Sequence, residues 1–450
     1  MSSLTSAGPA GPLNVDRASA ASWYAQNRAR SRALFDLIDP ASYYARPIAL
    51  RNPIVFYEGH LPAFSIIALI NRGLGRPGVD ARLEALFARG IDPDSVDAAV
   101  PRSGAGTAWP SRDEVLAFGR QADALIADAI REAPLDPARP AMRHAEALYT
   151  ALEHEAMHQE TLLYMWHRLP HDQKICPTYL PYELKGEVPS RASVRIPAGA
   201  ATLGARLDPG GAAANAVAFG WDNEFDAHRV EVPAFDMDVH SITNADYLPF
   251  VEAGHVEPPA FWHREDGQWF WRGMFESLPL PPAWPVYVSQ EDAAAFAASK
   301  GRRLMTEAEF HRAAYGTPSG EERRYPWGSP QSSNGSSEDV RPVRKRGHFD
   351  FASWEPVPAG SRPDGASAWG VHDLVGNGWE WTSTIFAPFP GFEPMVSYPE
   401  YSAEFFDGQH YVMKGASSAT AKELIRPSFR NWFRPNYPYV YAKFRTVASL

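Results

Sequence analysis

The sequence has almost no cysteine: Cys176 is the single one among 450 residues. A lone thiol cannot form an internal disulfide, and it excludes any mechanism that needs a pair of cysteines. Chains without disulfides are typical of a reducing compartment, so we expect a cytoplasmic location.

The sequence also lacks an excess of positive charge. Its 43 Lys and Arg residues are outnumbered by 53 Asp and Glu residues, which gives a formal net charge of −10. Because nucleic-acid-binding surfaces are basic, this balance argues against a nucleic-acid partner.

A basic leader and long apolar runs are missing as well. Residues 1–18 are mostly polar or small, with Pro and Gly among them, which predicts a disordered tail rather than a signal peptide. No stretch reads as long and apolar enough to span a bilayer, so we expect no membrane association.

The most informative feature present is the motif His154-Glu155-Ala156-Met157-His158. Neither Gly nor Pro interrupts residues 143–169, so a helix is predicted, on which histidines four residues apart share one face and can reach one metal ion. The pattern also matches H-E-x-x-H, the zinc-peptidase signature in which the glutamate is the general base. Two histidines that are merely hydrogen-bonded would give the same short pattern.

The segments before residue 169 predict a helical bundle, a scaffold that builds metal sites from inward side chains on facing helices. The predicted helices are 23–38, 56–74 with His60 near its start, 112–132 with Ser111 as N-cap, and the helix of the histidine motif.

The second part of the chain has a different texture. Four prolines mark a linker at 170–190, and short strands, turns and aromatic residues follow at 191–450. Two helices are predicted there, at 243–253 and 289–300, with Thr243 and Ser289 as N-caps. The prediction is therefore an α+β chain with a helical domain at 19–169 and a second domain at 191–450.

A group of motifs in this second domain resembles the C-type-lectin-like fold of the formylglycine-generating enzymes. The motifs are Arg303-LMTEAEFHRAAYG, Tyr325-PWG, Gly370-VHDLVGNGWEWT, Val412-MKGASS and Phe444-Arg445. Those enzymes need cysteines in this domain, and this sequence has none there, so that activity is excluded.

The helical part, with His60, the His154/His158 pair and the following Glu160, resembles a DinB-like four-helix bundle. The bundle joined to a lectin-like domain looks like the ergothioneine sulfoxide synthases, non-haem iron enzymes that use O2 to attach sulfur to imidazole C2 of hercynine. The resemblance implies Fe(II) held by His60, His154 and His158, with Glu155 and Glu160 in supporting roles. Zinc would suit three histidines equally well, and a lone histidine such as His60 is often only hydrogen-bonded.

The block 426–445 resembles the substrate-binding segment of that family, in which an Asn-Trp pair, here Asn431 and Trp432, contacts hercynine. An aromatic face suits a trimethylammonium group, which has no proton to donate, although Trp432 could simply pack in the core. In the mycobacterial-type pattern of that family, an Asp and an Arg after this pair hold the γ-glutamyl-cysteine donor. Phe433 and Tyr437 occupy those two positions here, and Arg434 supplies a cation at a shifted position.

These aromatic replacements resemble the selenoneine synthase branch, whose chalcogen donor is a selenosugar. A sulfoxide synthase that takes cysteine or γ-glutamyl-cysteine, or a 5-histidylcysteine sulfoxide synthase that acts on histidine, stays open. A tyrosine acts as proton donor in the ergothioneine synthases; Tyr398 and Tyr401 are the candidates, and Tyr398 is favoured.

Two hypotheses of other classes remain. A zinc peptidase would need a third ligand downstream, but His167 lies nine residues after His158 rather than six, with no glycine between them. A lectin-like binding module without chemistry would leave three metal-competent histidines unexplained.

Overall fold

The computed structural model describes residues 15–88, 109–179, 181–211, 213–329 and 342–450. The chain forms two compact units. Unit 1 comprises the chain up to Gln159, with Arg168–Ile175 and Pro394–Pro399. Unit 2 comprises Glu160–His167, Cys176–Glu393 and Glu400–Leu450.

Unit 1 is helical. Its helices are α1 Arg17–Phe35, α2 Ile54–Ser65, which continues as a π-helical segment Ile66–Gly73, α3 Ala81–Leu86, α4 Arg112–Glu132, and the part of α5 Glu146–Arg168 up to Gln159. Of the predicted tail, residues 1–14 lie outside the described residues, whereas Arg17 and Ala18 already belong to α1.

Every residue of α2 is buried, so this helix lies in the core of the bundle. The side-chain amide of Asn27 on α1 donates to the carbonyl of Leu152 on α5, 2.8 Å away. Arg112 at the start of α4 pairs with Glu58 of α2 at 3.0 Å. These bonds link α1 to α5 and α4 to α2.

The prediction that no stretch could span a membrane needs one correction. By length and composition, Ile54–Gly73 is apolar enough to cross a bilayer, but 89% of its apolar window is buried inside the protein. Because α2 is buried along its whole length, most of its side chains are apolar, as in a core helix.

In the described part of unit 2, short strands combine with residues Glu160–His167 of α5 and with three short α-helices. The helices are α6 Asn244–Glu252, α7 Gln290–Ser299 and α8 Glu307–Tyr315. The strands are β1 Ser193–Ile196, β2 Gly199–Leu203, β3 Arg206–Leu207, β4 Ala216–Val217, β5 His228–Val232, β6 Phe235–Asp238, β7 Trp262–Glu265, β8 Gln268–Arg272, β9 Ser277–Pro279, β10 Arg303–Leu304, β11 Gly378–Ile385, β12 Tyr411–Ala416, β13 Asn431–Phe433, β14 Ala442–Lys443 and β15 Thr446–Ser449.

Two four-stranded sheets organise this unit, in the orders β1-β6-β15-β10 and β13-β12-β11-β14. Strand β13 lies at the edge of the second sheet, where Trp432 pairs with Val412 and Phe433 with Tyr411 of β12. The edge position keeps the side chains of β13 partly exposed. The predicted α+β class, with a helical domain followed by a strand-rich one, is confirmed.

Candidate active site

Three histidines come together inside unit 1. His60 comes from α2, and His154 and His158 come from α5. One ring nitrogen of each lies within 4.8 Å of the others. Within the described ranges, this is the only group of three or more His, Cys, Asp or Glu side chains close enough to hold one metal ion.

The ring nitrogens of this cluster have a donor pattern that fits a metal ion. His60 Nδ1 lies 2.7 Å from the carbonyl oxygen of Phe87, which can only accept, so Nδ1 carries the proton and Nε2 keeps its lone pair. Nε2 of His60 and Nδ1 of both His154 and His158 are buried with no hydrogen-bond partner among the described residues. Buried polar atoms are usually satisfied, so an unpartnered nitrogen on each of three clustered histidines fits a bound metal ion.

Burial keeps these imidazoles neutral. It lowers the pKa of His60 to about 4, although the Phe87 carbonyl acts in the opposite direction. Burial, followed by the charges of the other two histidines, lowers the pKa of His154 well below its ordinary value. The pKa of His158 is lowered well below its ordinary value by burial, then by His60 and Arg51. Neutral imidazole is the form that coordinates metals, so the donor set suits Fe(II) and also Zn(II) near neutral pH.

Aromatic rings hold two of the three imidazoles in place. The ring of Phe64 stacks on His154 with centroids 3.4 Å apart and planes 7° apart. Phe56 stacks on His60 at 5.2 Å. Neither ring was predicted to belong to the site, although Phe56 and Phe64 lie four positions before and after His60, a spacing that places them on its helix face.

Glu155 lies at the general-base position of the peptidase motif, but it does not belong to the cluster. Its Oε1 accepts hydrogen bonds from Arg28 Nη1 at 2.9 Å and from Ser31 Oγ at 2.6 Å, both on α1. These bonds hold the carboxylate against α1, away from the role of general base at the histidines. The geometry therefore opposes the zinc-peptidase hypothesis.

Glu160, the acidic residue that follows the motif, is also held by a buried network. Its carboxylate accepts from Trp379 Nε1 at 2.6 Å, Ser417 Oγ at 2.7 Å and Thr420 Oγ1 at 2.8 Å, all in unit 2. Burial raises its pKa, and the three hydrogen bonds act against that rise. These bonds are those of a structural residue, not of a metal ligand.

The two candidate tyrosines lie in different surroundings. Tyr398 belongs to unit 1, where its ring centroid lies 6.1 Å from that of His154 and 4.9 Å from that of Phe64. Tyr401 belongs to unit 2 and packs on Trp221 at 4.0 Å and against Trp432 at 5.2 Å. Tyr398 therefore lies beside the histidine cluster within unit 1, whereas Tyr401 lies in an aromatic cluster of unit 2.

The predicted hercynine pair, Asn431 and Trp432, lies on β13 in unit 2. Asn431 Oδ1 accepts from the backbone N–H of Trp432 at 2.9 Å. One face of the Trp432 indole is covered by Phe386, at 4.1 Å and 7°. The rings of Tyr401 and Phe405 lie 5.2 and 5.7 Å away, so Trp432 is part of a four-ring aromatic cluster.

The residues that depart from the mycobacterial-type pattern are neighbours in unit 2. Phe433 stacks on Tyr437 with centroids 5.1 Å apart and planes 17° apart, and Tyr164 meets both rings edge-on. Phe433 is partly exposed and Tyr437 is buried. Arg434 donates to the side-chain oxygen of Gln409 at 3.0 Å.

The sequence matches two protein families. Residues 182–450 match the sulfatase-modifying factor enzyme 1-like domain, and residues 24–162 match the DinB superfamily. Ergothioneine biosynthesis protein 1 of Neurospora crassa is 30% identical over 90% of this chain and 55% of that protein. Hercynine oxygenase of Mycolicibacterium smegmatis is 34% identical over 63% of this chain and 67% of that protein.

A solved structure, PvdO from Pseudomonas aeruginosa, is 20% identical and covers 57% of this chain and 94% of its own, but its TM-score of 0.41 is too low to support an argument. The chain spans about half the length of the N. crassa relative and two thirds of the M. smegmatis one. The sulfatase-modifying-factor domain matches more than half of the chain, and the DinB superfamily matches its helical part. The chain therefore belongs to the family of ergothioneine-biosynthesis proteins that combine these two domains.

Proposed function

We propose that this protein is a non-haem iron enzyme that uses O2 to join a chalcogen donor to imidazole C2 of hercynine. The observation that carries the proposal is the cluster of His60, His154 and His158, with three buried ring nitrogens that lack a partner among the described residues. The names of the relatives, ergothioneine biosynthesis protein and hercynine oxygenase, supply the pathway and the acceptor. A cytoplasmic location is part of the proposal.

His60, His154 and His158 would hold the iron. Three neutral imidazoles leave further coordination positions open, at which Fe(II) would bind a soft chalcogen donor and O2. The surrounding rings of Phe56 and Phe64 keep the ligands in one orientation and exclude water from the site.

Trp432 would bind the trimethylammonium group of hercynine through its aromatic face, because a quaternary cation is attracted to the ring quadrupole. The side chain of Asn431 would orient the imidazole or the carboxylate of the same substrate. Tyr398 would donate the phenolic proton that reduced oxygen needs, which its place beside His154 supports.

For the donor we propose a selenosugar. The stacked pair Phe433 and Tyr437 offers no charged partner for the carboxylates and ammonium of γ-glutamyl-cysteine, whereas aromatic faces suit a sugar ring. Each lost charge-assisted hydrogen bond would weaken a peptide donor by about 1.5–3 kcal/mol. A thiol donor, cysteine or γ-glutamyl-cysteine, is the second candidate, and the names of the relatives favour it.

The test is product formation by protein loaded anaerobically with Fe(II) and then given hercynine and O2. Seleno-glucose, γ-glutamyl-cysteine and cysteine are supplied in parallel, with mass spectrometry as the readout. We expect a hercynine–selenium adduct with the selenosugar. Turnover with a thiol alone would establish the second candidate, and no turnover with any donor would remove hercynine as the acceptor.

A double variant tests the donor pocket directly. Phe433→Asp combined with Tyr437→Arg introduces the Asp and the Arg that, by the family resemblance, bind γ-glutamyl-cysteine. We expect its preference for γ-glutamyl-cysteine over the selenosugar to rise by about 10-fold or more, which one recovered ion pair would supply. Arg434→Gln is the control, since it changes a nearby charge without restoring that pattern; an unchanged preference in the double variant would refute the pocket assignment.

A further inference from the structure

Ser397 precedes Tyr398 in the segment Pro394–Pro399 and is held by several hydrogen bonds. Its backbone N–H and its hydroxyl donate to Glu146 Oε1 at 2.7 and 2.8 Å. Its hydroxyl oxygen lies 2.9 Å from Thr150 Oγ1, which must then be the donor. Arg72 Nη1 donates to its carbonyl at 3.0 Å.

These partners belong to the helices that carry the histidine cluster. Glu146 and Thr150 lie on α5, and Thr150 is one turn before His154 on the same face. Arg72 lies in the π-helical segment that continues α2, the helix of His60. Ser397 is therefore tied to both ligand-bearing helices.

Ser397 is buried and held by polar bonds. Ser397 and Thr150 are fully buried, whereas the neighbouring Val396 is 50% exposed. A buried hydroxyl that both donates and accepts fixes its position and its orientation. The next residue along the chain is Tyr398, with its ring beside His154 and Phe64.

We propose that Ser397 is a positioning residue for the reaction: anchored by Glu146, Thr150 and Arg72, it holds the phenol of Tyr398 in register with His154. This inference rests on the proposed function, in which Tyr398 donates a proton. Its chemical consequence is specific, because a misplaced phenol slows the proton-dependent step without weakening the binding of hercynine or of the metal.

The activity test uses Ser397→Ala and the matched pair Thr150→Val and Thr150→Ser. Valine keeps the shape of threonine but loses the hydroxyl, whereas serine keeps the hydroxyl. We expect Ser397→Ala and Thr150→Val to lower kcat by about 10-fold, as misplacement of a reacting group does. Thr150→Ser should restore most of the rate, with KM for hercynine and iron content unchanged in all three.

A Tyr398→Phe background separates positioning from general damage. If Ser397 acts through the phenol, Ser397→Ala should cause no further loss of kcat once that phenol is gone. An equal loss in both backgrounds, or wild-type kcat in Ser397→Ala and Thr150→Val, would overturn the proposal.

A structural readout keeps the inference testable if hercynine turnover fails. With 3-fluorotyrosine at position 398 of the metal-free protein, we expect one fluorine resonance distinct from that of free fluorotyrosine in the wild type and in Thr150→Ser. Ser397→Ala should move it towards the free value. If no turnover is seen but Ser397→Ala still moves the resonance, the proposed function is refuted and the anchoring role of Ser397 stands. If the resonance does not move in Ser397→Ala, the anchoring role is refuted.

Discussion

At the scale of single residues, burial sets the protonation of the histidine cluster. His60, His154 and His158 have pKa values lowered chiefly because the protein interior disfavours the charged imidazole. The same cause lowers the pKa of His348 in unit 2 to about 4. The three clustered histidines are neutral and able to bind metal near neutral pH, and all four of these buried histidines make the metal-free protein sensitive to acid.

This sensitivity gives a pH prediction with a definite sign. A histidine with a folded pKa below its unfolded value binds more protons when unfolded, so the free energy of unfolding should fall as the pH drops from about 6.5 towards 5. Glu160, whose pKa is raised, acts in the opposite direction but is one group against several histidines. Urea denaturation of metal-free protein at about pH 7.5, 6.0 and 5.0 measures the trend.

The matched variant is His60→Gln, which keeps a polar side chain but cannot titrate. Its stability should depend less steeply on pH over that window than that of the wild type. If the free energy of unfolding of the wild type stays level or rises as the pH falls from about 7.5 to 5.0, these groups are not buried neutral histidines.

Individual residues also show the limit of reading a motif. The spacing of His154 and His158 predicted a shared helix face, and the two side chains share one. The same five residues could not show where Glu155 points, because its partners Arg28 and Ser31 lie on α1, far away in sequence. A short pattern identifies the residues that can meet, while contacts with distant segments decide which of them do.

At the scale of elements, the α2 and α4 helices contain buried glycines in contrasting surroundings. A Cβ at Gly119 of α4 would lie 3.7 Å from Arg28 Nη2 and 4.0 Å from Pro62 Cγ, which is ordinary contact. A Cβ at Gly59 of α2 would overlap the ring of Phe87. Phe87 is also the residue whose carbonyl orients His60.

The two glycines should therefore respond in opposite ways to alanine. Gly119→Ala is expected to raise the free energy of unfolding by about 0.5–1 kcal/mol, because alanine loses less backbone entropy in a helix. Gly59→Ala is expected to lower it by about 1–3 kcal/mol through overpacking and to weaken metal binding. Urea denaturation and metal titration of both variants measure these effects. If the two variants change the free energy of unfolding in the same direction and by the same amount, the contrast between the surroundings of the two glycines is wrong.

The elements themselves were predictable where local signals are strong. Helix α4 was predicted with its observed bounds, because Ser111 caps it and its apolar positions repeat with helical period. Helix α8 was missed, although Thr306 and Glu309 form a capping box, since it is short and lies among strands. The predicted helix 56–74 changes to π-helical geometry after Ser65, whose hydroxyl bonds the Leu61 carbonyl and competes with the backbone ladder.

At the scale of the whole molecule, unit 1 is completed by a segment that the sequence places inside the second domain. Pro394–Pro399 belongs to unit 1 and brings Tyr398 to the histidine cluster. The sequence favours Tyr398 but does not exclude Tyr401, because the two tyrosines are only three residues apart. Long-range contacts separate the two tyrosines, among them the bonds of Ser397 to α5, and no local pattern encodes those bonds.

The metal site depends on the folded chain in the same way, since its ligands come from helices far apart in the sequence. A metal that binds the folded state more tightly than the unfolded one stabilises it by about 2.7 kcal/mol at a free concentration 100 times Kd. Addition of Fe(II) under anaerobic conditions, or of Co(II) as a stable substitute, should therefore raise the melting temperature, and a chelator should reverse the rise.

His60→Ala distinguishes a three-ligand site from a local histidine pair. The His154/His158 pair lies within one helix turn and can bind metal weakly even in an unfolded chain, so the pair alone favours the folded state little. We expect His60→Ala to lose most of the metal-induced rise in melting temperature, and His154→Ala to lose it as well. His255→Ala, at an exposed histidine of unit 2, should keep the full rise. If His60→Ala responds to metal as the wild type does, His60 is not a ligand; the buried Nε2 of His60 would then need another partner, and the case for an iron site of three histidines would fail.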